Sequence, residues 1–283
     1  MPQQPGDTAA APVSVIVRTF NSADGLRERI EELRRQTVAC EIVVVDSGST
    51  DQTVAVARER ADQVVTLPPG TYTPGRALNA GAAIATAPIH AALSSHCALP
   101  DDGWLDRALR NFAAPEVWAV GGSSKDPYGR PIATPWLQTL AEAGTAPDWG
   151  FSNHASCWRA EAWRAHPFDE RLPTTEDRLF SWQILQDGHR VAFDPALLVD
   201  MSHRWKQGTI NYYRRTRLEE AVITAMAQAT MNGMAPYSAK DLVRDWWSGF
   251  STDDHSRWFH RANPRRALGL LGKYQGRRRP YVL

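Results

Sequence analysis

The first hundred residues alternate short, wholly apolar runs with amphipathic helical patterns, and few architectures accept that order. Residues 13–17 form a β-branched run that ends at Arg18-Thr19-Phe20-Asn21. Leu26, Ile30 and Leu33 then recur at helical spacing, with Asn21 and Ser22 as candidate caps ahead of them. Residues 41–45 are a second buried-strand pattern closing on Asp46. In the Ser47-Gly48-Ser49-Thr50-Asp51 turn that follows, Ser49 and Gln52 have capping-box spacing for the next helix. A run at 64–67, a small-residue helix from about Gly75 to Ala85, and an apolar run at 89–93 repeat the alternation. Apolar strands separated by single helices predict a parallel sheet with right-handed crossovers. Ligands of such sheets bind at the carboxyl ends of the strands. That rule gathers Thr19, Asp46 and Ser94-Ser95-His96 along one edge.

Beyond residue 100 the pattern is less regular. Residues 104–112 read as a helix, 117–121 as a strand running into a glycine turn, and 193–201 as an apolar stretch ending at Ser202-His203. Residues 210–225 form an amphipathic helix with Ile210, Tyr213, Leu218, Val222 and Ala225 inward. The 283 residues divide into a loose tail (1–12), a strand–helix half (13–100), a second half (101–205) and a helical extension (206–283). Net charge is +1, so the bulk balance selects no nucleic-acid partner. No acidic residue follows Asp254, whereas Arg265, Arg266 and Arg277 to Arg279 do. That basic C-terminus is either a solvated helix face or a peripheral contact with anionic lipid headgroups. Three scattered cysteines give no disulfide framework and suit a reducing cytoplasm. The opening segment lacks the pattern of a signal peptide. Eleven tryptophans, among them Trp158, Trp163, Trp182 and Trp205, serve either packing or sugar stacking.

Five blocks in this order resemble the family-2 glycosyltransferases. They are the first strand with its Thr-aromatic-Asn exit, EIVVVDSGSTDQT at 41–53, GRALNAG at 75–81, Thr175-Glu176-Asp177, and Ser202-His203. The resemblance spans Val13 to about Trp205. It implies a GT-A fold: a Rossmann-like, mostly parallel α/β sheet whose first half binds a nucleoside-diphosphate sugar and whose second half binds the acceptor, a glycan or small molecule. It further implies an inverting transfer in which Asp177 is the general base and Glu176 shapes the acceptor pocket. The competing reading has Glu176 and Asp177 merely opening a helix capped by Thr174 or Thr175. Thr19, Asn21, Ser47 and Asp46 would line the nucleotide site, with Asp46 on the base or ribose; Asp46 also has the chemistry of an Asx turn. Asp51 reads as a first-turn helix residue complementing the dipole. Arg76 would reach the diphosphate or be a solvated surface cation. Residues 123–163, with Lys125, Tyr128, Trp136, Trp149, Asn153 and His154, would line the acceptor side.

One block departs from the family. Where the family carries Asp-x-Asp for Mg²⁺ or Mn²⁺, this chain reads Ser94-Ser95-His96. Three readings stand. His96 and His203 hold a divalent metal, for which imidazole favours Mn²⁺ over Mg²⁺. No metal is used, and His96, Arg76 or Arg204 meets the diphosphate directly. Or catalysis is lost, leaving a nucleotide-sugar-binding scaffold. A separate zinc reading combines His154-x-x-Cys157 with His96-Cys97.

Overall fold

A computed structural model describes residues 11–126, 128–146, 149–200, 208–230, 238–248 and 264–282. The alternating runs become β1 (Val13–Thr19), α1 (Ala23–Arg34), β2 (Cys40–Asp46), α2 (Thr53–Arg60), β3 (Gln63–Thr66), α3 (Pro74–Ile84) and β4 (Ile89–Ser94). There follow α4 (Trp104–Arg110), β5 (Val117–Gly122), β6 (Trp136–Gln138), α5 (Leu140–Thr145), β7 (Ala155–Arg159), α6 (Ala160–Ala165), α7 (Glu176–Gln186) and β8 (Arg190–Asp194). The C-terminal part contributes α8 (Thr209–Thr230), α9 (Ala239–Ser248) and α10 (Pro264–Arg278). The strands make one eight-stranded sheet in the order β3-β2-β1-β4-β7-β5-β8-β6. Most pairings are parallel, but β7 runs antiparallel to both β4 and β5, and β6 antiparallel to β8.

Successive strand residues point to opposite faces, and both faces here are apolar. Val15, Val17 and Val44 pack with Leu26, Ile30, Val56 and Trp104 of α1, α2 and α4. Ile16, Val43 and Val45 pack with Leu78, Phe180 and Val222 of α3, α7 and α8. Burying each such aliphatic side chain contributes about 1.5–3 kcal/mol. Gly81 lets α3 close onto β1, because a Cβ there would sit 2.4 Å from the Ile16 side chain. Trp158 and Trp182 lie wholly within this core, which settles packing as their role. The three cysteines are buried free thiols, and burial pushes the Cys157 thiol up.

Four local expectations change. The Ser49–Gln52 capping box does not form: Asp51 Oδ1 accepts the Thr53 N–H at 2.9 Å, while Ser49 Oγ accepts the Asn21 N–H at 2.8 Å. Asn21, at φ 44°, turns the chain back so that its Oδ1 also takes the Thr50 N–H at 2.9 Å. Asp51 precedes α2 instead of sitting in its first turn, and hydrogen bonds from Thr53 hold its carboxyl below the usual range. In the apolar stretch at 193–201, the strand ends at Asp194, whose carboxylate accepts the Ala196 N–H and starts a 3₁₀ turn at Pro195.

The fourth change concerns α8. Ile210 is 62% and Leu218 37% exposed, so neither faces the core; only the C-terminal half of the helix, with Val222 and Ala225, is buried. The N-terminal half runs beyond the sheet and is held by α10, where a Cβ on Gly272 or Gly276 would meet α8 backbone within 3.0 Å. Arg277 of the basic terminus pairs with Glu220 of α8 at 2.8 Å, both nearly buried, while Arg278 and Arg279 are exposed. No helix among the described residues is long and apolar enough to cross a membrane. The tail at residues 1–10 lies outside the described residues.

His90 of β4 is 1% exposed, with its ring against Trp158 and Trp163 at 6.2 and 6.1 Å. Burial, with a smaller push from Arg164, lowers its pKa from 6.5 to about 4. The unfolded chain therefore binds a proton between pH 6.5 and 4 that the fold refuses. Stability is full above pH 6.5 and falls as pH drops to 4, by about 3 kcal/mol from this group. In denaturant titrations over that window, His90→Leu is expected to show a shallower pH slope than the parent chain; an unchanged slope would refute the assignment.

Candidate active site

The strand registers bring the expected residues to one edge. Thr19 pairs with Asp46 and Arg18 with Ser94, at the carboxyl ends of β1, β2 and β4. Asp46 is fully buried. One carboxylate oxygen accepts the Gly48 and Ser49 N–H groups at 2.9 and 3.0 Å, so the Asx turn is real. Its other oxygen has no partner, and neither do Thr19 Oγ1, Ser95 Oγ and Arg18 Nε. Buried polar atoms without partners are costly, and four of them gather at this one strand edge. Ser47 donates its N–H to the Thr19 carbonyl at 3.0 Å, and Asn21 clasps the β2–α2 loop, so both shape this edge through its backbone.

Other expected residues stand apart. Arg76, part of α3, donates to Glu170 at 2.9 Å and to the Thr71 carbonyl at 3.1 Å, so it is a tethered cation. Ser94 ends β4; His96 is exposed in the turn beyond it, and its N–H reaches Ser94 Oγ at 3.4 Å. His203, Arg204 and Trp205 lie outside the described residues. Among the described residues no group of three His, Cys, Asp or Glu side chains could hold a metal ion. The zinc reading fails on this ground, and on the position of Cys157 inside the core. At the end of β4 the described donors are one hydroxyl and one imidazole, and the partner expected for His96, His203, lies outside the described residues.

Beside this edge opens a cleft of about 820 Å³. Its floor is formed by Arg18, Asn153, Glu176 and Asp177. Of the acceptor-side residues expected from sequence, Asn153 and His154 line it. Lys125, Tyr128, Trp136 and Trp149 do not, and the two tryptophans pack on each other and on Phe193. The antiparallel course of β7 explains the placement. Because Leu93 pairs with Ala155, the segment entering β7 lies at the carboxyl end of β4, and the Ser94 N–H donates to the His154 carbonyl at 3.0 Å.

Asn153, 2% exposed, is the hub of the cleft floor. Its N–H donates to Asp177 Oδ2 at 3.1 Å and its side-chain amide to Glu176 Oε1 at 3.3 Å. Its Oδ1 accepts from Ser156 at 3.2 Å, and its carbonyl accepts from Arg18. The two carboxylates open α7 behind Thr175, which holds a left-handed φ of 64° and makes no side-chain cap; its hydroxyl donates to the Thr174 carbonyl instead. A threonine kept in that region stores of order 1–3 kcal/mol of strain. Glu176 and Asp177 thus sit in the first turn of α7, as the competing reading has it, but Thr175 supplies no side-chain cap. Burial, and then the charge of Asp177, push the Glu176 carboxyl up, against the opposing pull of Arg18 and Asn153.

Sequence reasoning missed Arg18 as a floor residue and Asn153 as the hub. The missing signal was β7: Ala-Ser-Cys-Trp-Arg has neither β-branched enrichment nor clean alternation. Asn153→Leu removes the side-chain donor to Glu176 and leaves Ser156 without its acceptor. It is expected to lower unfolding free energy by about 1–3 kcal/mol, read from denaturant midpoints; a stability equal to the parent would refute the hub role.

Comparison with known proteins agrees with this geometry. The family model described as glycosyl transferase family 2 matches residues 14–168. A pre-mycofactocin glycosyltransferase of Mycobacterium tuberculosis is 29% identical over 220 residues, covering 72% of this chain and 45% of the relative. A validoxylamine A glucosyltransferase of Streptomyces hygroscopicus is 38% identical over 99 residues, covering 32% of this chain and 24% of that one. The chain thus spans less than half the length of the curated relatives it matches here. Among solved structures, a mannosyltransferase of Pyrobaculum calidifontis in complex with GDP-Man and Mn²⁺ superposes with a TM-score of 0.64 at 19% identity, covering 96% of this chain and 88% of that one. A glucosyl-3-phosphoglycerate synthase of Mycobacterium tuberculosis, in complex with Mn²⁺, UDP and glucosyl-3-phosphoglycerate, gives 0.57 at 16%, covering 81% and 86%. Those likenesses establish the GT-A fold, and the family match, over more than half of the chain, establishes the rest: this protein belongs to glycosyl transferase family 2.

Proposed function

We propose that the chain is an inverting transferase that moves a sugar from a nucleoside-diphosphate donor to a hydroxyl- or amine-bearing acceptor. The observation that carries this reading is the cleft floor, where Asn153 fixes the Asp177 carboxylate beside the unpaired polar edge of β1, β2 and β4. The edge that carries Asp46 and Thr19 meets the nucleoside. The acceptor hydroxyl lies against Asp177 and attacks the anomeric carbon from the side opposite the diphosphate. Its oxygen forms the new glycosidic bond, the bond to the diphosphate breaks with its electron pair, and Asp177 takes the hydroxyl proton. A positioned base of this kind contributes about 10² to 10⁴-fold. Glu176, buried and with its carboxyl pushed up, keeps a second full negative charge away from Asp177 while anchoring Asn153.

The Mn²⁺ held by solved neighbours raises the same question for this chain. The described donor set, Ser94 and His96, does not complete a metal site, so no step is routed through a metal. The cytoplasmic side suits a nucleotide-sugar donor, and the exposed Arg278 and Arg279 suit a peripheral lipid contact there.

The deciding experiment is calorimetric titration of the full chain with UDP, GDP and dTDP, each in EDTA and in Mn²⁺, alongside donor turnover. One diphosphate is expected to bind, and Asp177→Asn to keep that affinity within about threefold while losing transfer by about 10²-fold or more. Wild-type turnover in Asp177→Asn would overturn the base assignment. Binding without any donor turnover would favour the non-catalytic scaffold. Binding that requires Mn²⁺ would assign a metal to His96, and binding undiminished by EDTA would assign the diphosphate to protein cations.

A further inference from the structure

The cleft has a wall that the transfer chemistry leaves unused. Besides Asp177 it is lined by Leu198 and Val199, which follow β8, and by Arg214 and Leu218 from the N-terminal half of α8. Leu198 is 46% and Leu218 37% exposed, so the wall offers an apolar strip to whatever enters. The charges around it are otherwise matched. Arg215 pairs with Glu219 and Arg277 with Glu220, each at 2.8 Å. Among the described residues, Arg214 alone of the α8 residues lining the cleft is a cation with no carboxylate in reach. Thr19 and Asp46 are not among the residues that line this cleft.

Resting on the transferase reading above, we propose that the acceptor is a small amphiphile: an apolar aryl or alkyl body seated on Leu198 and Leu218, bearing an anionic group bound by Arg214 and presenting its hydroxyl to Asp177. Each part has a reason. An arginine meets a carboxylate or phosphate through two parallel hydrogen bonds, and an apolar strip at the rim of a water-filled cleft gains from covering. A neutral sugar acceptor would use neither feature. A basic group in place of the anionic one would be repelled by Arg214.

The test uses three probes with the same ring and the same hydroxyl: 4-(hydroxymethyl)benzoate, its methyl ester, and 4-(hydroxymethyl)benzylamine. Glycolate serves as an anionic probe without the apolar body. Binding to the full chain is followed by ligand-observed NMR with UDP present and absent. The benzoate is expected to bind on the order of tenfold more tightly than the ester, and more tightly than glycolate, with the benzylamine weakest. In Arg214→Gln the benzoate and ester are expected to become equal; in Arg214→Lys part of the preference is expected to survive. Leu218→Asp is expected to weaken the benzoate and ester together. Equal binding of the three ring probes, or none by any, overturns the proposal. So does a preference that Arg214→Gln leaves intact while UDP affinity drops, which would give Arg214 to the donor's diphosphate. Failure of every diphosphate to bind or turn over would instead refute the transferase reading, and the two failures are read from separate titrations.

Discussion

The site depends on one reversal in the sheet. Strands β1, β2 and β4 run parallel and bring their carboxyl ends to a common edge, but β7, wedged between β4 and β5, runs the other way. Its entry therefore lies where its neighbour ends. Asn153, two residues ahead of β7, is delivered beside Arg18 and Ser94 by the register of that strand. Had β7 joined in parallel, Asn153 would sit at the opposite edge, and Glu176 and Asp177 would have lost both of their shared donors. The geometry of the carboxylates is thus set by backbone pairing, the most rigid scaffold a protein has for positioning side chains.

The cleft floor also shows how two carboxylates share a small space. Adjacent acidic residues at the start of a helix repel one another unless each has its own partner. Here Asn153 serves both, giving its backbone N–H to Asp177 and its side-chain amide to Glu176. Arg18 leans in from β1, and burial shifts Glu176 toward its neutral form. The pair is thereby divided into a sheltered member and a member facing the cleft, set by environment and not by residue type. The left-handed backbone at Thr175 turns α7 so that this division holds.

Much of the fold was legible because β1, β2 and β4 are largely apolar on both faces, a pattern that a sheet covered on both sides explains. Asp46 and Thr19 could be placed on one edge by the rule that parallel strands share a carboxyl end. Legibility stopped where local signals did. Strand β7 carries Cys157 and Trp158 in place of valines, so the reversal and its hub stayed hidden. Arg76 read as a free cation because its partner Glu170 is distant in sequence. The α8 face was misjudged for a related reason: a helix that packs on the sheet at one end and on α10 at the other has no single inward stripe. The family motifs located Glu176 and Asp177, but nothing in their spacing revealed that one residue holds both.

The seam between α8 and α10 has a broader consequence. Gly269, Gly272 and Gly276 let the two helices touch where side chains would otherwise keep them apart, and the Arg277–Glu220 pair closes the far end. The α8 wall of the cleft thus hangs from α10, outside the stretch matched by the family model. On the proposed reading, the donor edge lies within the family-matched stretch and the acceptor wall of α8 lies outside it. If that reading holds, a substitution along the α8–α10 seam reshapes the acceptor wall while leaving the β1, β2 and β4 edge in place.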